Sequence, residues 1–236
     1  MEPNLGPVLT ALARSAVATS FGPHPPGAAA LLGDARFTRA HDAAGSVADS
    51  PVTAGLNTDA VSTAAPPDLA ERAATFVTLE RDGRLRGCIG TLVALRPLGI
   101  DVVRNARLAA RDPRMAPVRP EEVPGLAVTV AVLGPSEPVE ARDFPALLAA
   151  LRPGEDGLTL EDAEGRRATF LPAVWRHAGG PHRFVAALLR KGGWPKELWS
   201  GDLRPAPWPD GLRAERYTAT EYRASPAAPP ASPPRS

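Results

Sequence analysis

The chain has 236 residues and a formal net charge of +1, a length that suits one or two domains. Its single Cys excludes an internal disulfide and a multi-cysteine zinc site, and no run approaches the ~18 apolar residues of a membrane helix. The near-neutral charge gives no general reason to bind nucleic acid, and MEPNLGPVLT lacks the pattern of a signal peptide, so no membrane association and a cytoplasmic location are expected.

Residues 7–19 have helical spacing at Leu9, Leu12, Ala16 and Val17, opened by Pro7 and stopped by Gly22-Pro23, so residues 1–21 are expected to pack a helix on the domain. Residues 22–74 contain few large apolar groups and are far longer than a usual connection. They read as a low-complexity, mobile excursion, with helical stretches around Ala28–Phe37 and Pro67–Ala74 and little order over 38–66. The organised domain is expected over 75–224. Thr75–Glu80 and Leu85–Leu92 flank Asp82-Gly83, a hairpin signal. Pro97 to Arg111 reads as a helix ended by Asp112-Pro113. Leu126–Leu133 is a strand. Asp143–Leu151 is a short helix capped by Asp143, and a second hairpin turns at Ala163-Glu164-Gly165. Pro181–Lys191 is a helix ended by two glycines, and Leu212–Tyr222 alternates as one closing strand. Residues 225–236, rich in Pro, Ala and Ser, read as a disordered tail. Strands joined mostly by hairpins and mixed with helices predict an α+β fold with a mostly antiparallel sheet flanked by helices.

The chemistry concentrates near the one thiol. On a strand, period two places Leu85, Gly87 and Ile89 on one face and Arg86, Cys88 and Gly90 on the other. A cation beside a thiol favours the thiolate that a nucleophile needs. Cys88 also fits a small buried core position, the commoner place for a free Cys, with Gly87 and Gly90 giving the strand room to pack. Residues 81–119 carry nine Arg against Asp82, Asp101 and Asp112, a local +6 that suits a small anionic ligand or a solvated face. Asp101, Asn105 and Asp112 would line one stripe of a helix. That stripe suits a hard cation, an exposed surface, or a hydrogen-bonded anchor for a loop. Glu155, Asp156, Glu161, Asp162 and Glu164 read as solvated turns, and the four histidines form no zinc-type pair at helical spacing.

The run Leu85-Arg86-Gly87-Cys88-Ile89-Gly90 resembles the signature of the AMMECR-type domain family, whose bacterial members include protein A of the AmmeMemoRadiSam system. Pro97-Leu98, Asp101-Val102, Asn105-Ala106 and Asp112-Pro113-Arg114 resemble its following helix and loop. Further agreement comes from Leu126–Pro138, Pro153–Leu158, Arg167–Pro172, Val174-Trp175, Lys191-Gly192-Gly193 and Trp199-Ser200. The 22–74 excursion and the run PAPWPDG at 205–211 depart from the pattern. The resemblance implies a smaller lobe and a cleft faced by the signature strand. It also implies a pathway shared with Memo-like and radical-SAM proteins, and it names no reaction and no cofactor. Two functions follow. In one, Cys88 is the nucleophile or redox-active thiol of an enzyme, with Arg86 favouring its thiolate and Asn105 or Arg114 holding an anionic substrate. In the other, the chain is a non-catalytic adaptor for those partners. On strict alternation, a methyl at Gly90 would obstruct a ligand at little cost in stability, and one at Gly87 would overpack.

Overall fold

The computed structural model describes residues 5–32 and 67–226; the segment 38–66 and the tail from residue 227 lie outside them. Two compact units divide the chain, one made of Met1–Val132 with Glu221–Ser236, the other of Leu133–Thr220. The fold is α+β, with two four-stranded antiparallel sheets and helices packed against them. Among the described residues, no helix is long and apolar enough to cross a membrane.

In the first unit α1 (Leu5–Ala18), α2 (Ala28–Leu32) and α3 (Pro67–Ala70) precede the hairpin of β1 (Thr75–Arg81) and β2 (Arg84–Gly90). Asp82 and Gly83 both take positive φ, 51° and 73°, the two-residue turn whose twist matches that of the strands. Helix α4 (Leu98–Ala109) and a 3-10 turn (Pro120–Gly125) lead to β3 (Leu126–Leu133), and β8 (Ala219–Ala224) returns to complete the sheet. Its order is β2-β1-β3-β8, so β2 is an edge strand. One sheet face carries Val77, Leu79, Ile89, Val128 and Val130 into a core with Leu9, Leu12, Val102 and Ala106 from α1 and α4. The N-terminal helix is therefore part of the core. Arg107 and Arg111 fasten it further, donating to the carbonyls of Ala16, Pro26 and Ser20.

The β1–β2 register departs from strict alternation. Leu79 stands opposite Gly87 but Glu80 opposite Leu85, so Arg86 is an extra residue in a bulge. Leu85 thereby joins the face of Glu80 and not that of Gly87 and Ile89, and it is 42% exposed.

The second unit contains β4 (Glu137–Pro138), α5 (Phe144–Ala150), β5 (Gly157–Glu161) and β6 (Arg167–Phe170). After a 3-10 turn (Pro172–Val174) come α6 (Trp175–Ala178), α7 (Pro181–Lys191), α8 (Lys196–Trp199) and β7 (Arg213–Tyr217), in a sheet ordered β4-β7-β5-β6. Asp143 caps α5 by accepting from the Ala146 amide at 2.7 Å. Its core holds Leu147, Leu158, Leu160 and Leu188, with Trp175 stacked on Phe184 at 3.8 Å between centroids. The single closing strand expected over Leu212–Tyr222 is two strands, β7 in this sheet and β8 in the other, because the run breaks at Thr218, whose carbonyl accepts from the Gly134 amide. Asp156 and Asp162, expected in solvated turns, are buried. Each takes its hydrogen bonds from an arginine four residues away, Arg152 or Arg166, and from nearby backbone amides.

Leu12 is fully buried, so Leu12→Ala is expected to cost about 2–5 kcal/mol in chemical denaturation of the first unit.

Candidate functional site

Cys88 sits half-buried on β2, opposite Thr78 of β1, on the sheet face turned from α1 and α4. The Thr78 hydroxyl donates to its Sγ at 3.3 Å. By register Thr129 of β3 follows Thr78 on that face, with Ala127 and Ala131 to either side. The Cys88 backbone is gripped from the loop after α4. Its N–H donates to Asp112 Oδ2 at 3.0 Å, and its carbonyl accepts from Arg114 Nη2, also at 3.0 Å.

Asp112 is 2% exposed, and its neighbour Arg114 supplies the other donors: the backbone N–H and Nε to Oδ1, and Nη2 to Oδ2 at 2.6 Å. The Arg114 guanidinium, helped by the Cys88 amide, holds the Asp112 carboxyl well below the usual carboxylate range. The Arg114 side chain itself is 60% exposed. With its charge balanced by Asp112, Arg114 is nonetheless open to solvent beside Cys88.

Arg86 is not. The bulge sends its guanidinium to Glu122, with Nε to Oε1 at 2.9 Å and Nη2 to Oε2 at 3.1 Å, and its remaining donors reach the carbonyls of Ala116 and Pro117. Glu122 also accepts from the Arg119 amide and has Arg81 within 3.6 Å. The Arg86 hydrogen bonds, with the Arg119 amide, lower its pKa to about 2. This carboxylate lies just past the arginine-rich window and so falls outside its charge count. Counting Glu121 and Glu122 reduces the local excess from +6 to +4.

Asn105 also lies elsewhere. With Asp101 it forms a buried hub under the start of β1, the anchoring reading of that stripe. Asp101 Oδ2 accepts from the Thr75 amide, from the Thr75 and Thr91 hydroxyls and from Asn105 Nδ2. Asn105 donates in addition to the Thr75 carbonyl at 3.0 Å. Asp112 does not join this hub, so the three residues do not meet. Among the described residues no group of three or more His, Cys, Asp or Glu side chains is placed to hold a metal. His182 accepts from the Leu203 amide in the second unit, and His41 lies outside the described residues.

Both signature glycines are filled against by the protein. A Cβ on Gly87 would lie 1.9 Å from the Ala109 carbonyl oxygen at the end of α4. One on Gly90 would lie 2.2 Å from the Phe76 ring. The expectation that a methyl at Gly90 costs little stability is therefore corrected, because Phe76, its cross-strand neighbour, already occupies that space.

Three outcomes follow from this geometry. Gly87→Ala and Gly90→Ala both lower stability by about 1–3 kcal/mol in urea melts, with Gly87 the worse because backbone must move. The depressed Glu122 carboxyl contributes stability that is fully present above its unfolded value of about 4.5 and is lost as pH falls towards 2. Glu122→Gln, which keeps the shape but not the charge, should flatten that part of the acid-unfolding curve; an unchanged slope would show that the ion pair does not form.

The AMMECR1 family's sequence profile matches residues 43–221, beginning inside the segment that composition marks as an excursion. A protein from Methanothermobacter thermautotrophicus is 43% identical over 114 residues, covering 46% of this chain and 57% of its own length. One from Thermotoga maritima is 43% identical over 103 residues, covering 40% and 58%. The chain thus spans little more than half the length of these relatives. The crystal structure of uncharacterized protein PH0010 from Pyrococcus horikoshii superposes with a TM-score of 0.69 at 26% identity, covering 97% of this chain and 96% of that one. The signature strand, the helix and loop that grip it, and the profile match over three quarters of the sequence lead to one assignment: the chain belongs to the AMMECR1 family.

Proposed function

We propose that the protein works in the cytoplasm as an enzyme-like protein that uses the Cys88 thiol on a small anionic substrate, in a pathway with Memo-like and radical-SAM proteins. The observation that carries this reading is the pairing of Cys88, half-buried beside the Thr78 hydroxyl, with the 60% exposed guanidinium of Arg114 held against its carbonyl. The hydroxyl supplies a hydrogen bond to the sulfur, and the exposed side of the guanidinium, whose charge Asp112 balances, offers a polar surface to an anion. Arg86 and Asn105 hold the surrounding frame in this reading and do not touch the substrate. The pathway partners rest on the family resemblance alone.

A second reading, the non-catalytic adaptor, is favoured by the loop after β2. There Val93 is 50% and Leu95 58% exposed, an apolar pair offered outward. The two readings part at one atom. Cys88→Ser keeps the shape and should abolish function in a knockout-complementation assay while the melting curve stays within about 1 kcal/mol of the parent. Iodoacetamide should alkylate Cys88 in the folded protein at pH 7 faster than a cysteine in an unstructured peptide. Full complementation by Cys88→Ser, or sluggish alkylation, would overturn the thiol reading. Loss of function in Val93→Asp or Leu95→Asp with Cys88→Ser still active would establish the adaptor.

A further inference from the structure

We draw no further inference here: the strongest candidate, the open groove of 610 Å³ between the start of α1 and the edge strand β8, is lined by Arg14, Glu221 and Arg223, all of them already engaged within the fold, and nothing in the structure shows what covers it.

Discussion

The Asp112 carboxylate, cut off from water just past the end of α4, must take its hydrogen bonds from protein donors or lose its charge. It takes them from the Cys88 amide and from Arg114, and Arg114 in turn holds the Cys88 carbonyl. A sheet edge, a helix terminus and a loop are thereby fixed to one another through a single ionised group. Elsewhere the chain meets the same need in the same way. Asp156 and Asp162, both buried, are satisfied by arginines four residues away. Because such partners are close in sequence, little chain entropy is spent in bringing them together. The Arg86–Glu122 pair differs, joining residues 36 positions apart, and it is the one that redirects a signature side chain.

Much of the fold was legible wherever a local rule governs. Asp82-Gly83 marks its turn because both residues adopt positive φ, and Asp112-Pro113 ends α4 because a proline disfavours helix in the residue before it. The bulge at Arg86 was not legible. Alternation assumes one residue per pairing position, and the extra one shows only in the register of β2 against β1. The division of residues 212–222 into two strands escaped for a related reason. An alternating pattern gives the inward residues but not the sheet they face. The buried turn aspartates were misread because a cluster of acidic residues looks the same in sequence whether it is solvated or paired with an arginine four positions away.

The candidate site was legible in its centre and not in its frame. Cys88 and Arg114 were both singled out, and the structure brings them together. Arg86 and Asn105 were also singled out, and each is spent on the fold. The glycines show how a motif can be composed for packing. Gly87 makes room for the Ala109 carbonyl and Gly90 for the Phe76 ring, so both absences of a side chain are accounted for by neighbours inside the chain.

The grip on Cys88 also bears on the open margin of the sheet. β2 closes one side of its sheet, and a bare strand margin there would offer its outward N–H and C=O groups to any extended segment that passed. At Cys88 those two groups are already taken, the donor by a carboxylate and the acceptor by a guanidinium. Asp112 and Arg114 stand in for the missing neighbour like a two-residue fragment of strand written in side chains. The margin is sealed there without adding a strand, and the thiol's own face of the sheet is left unencumbered by the seal.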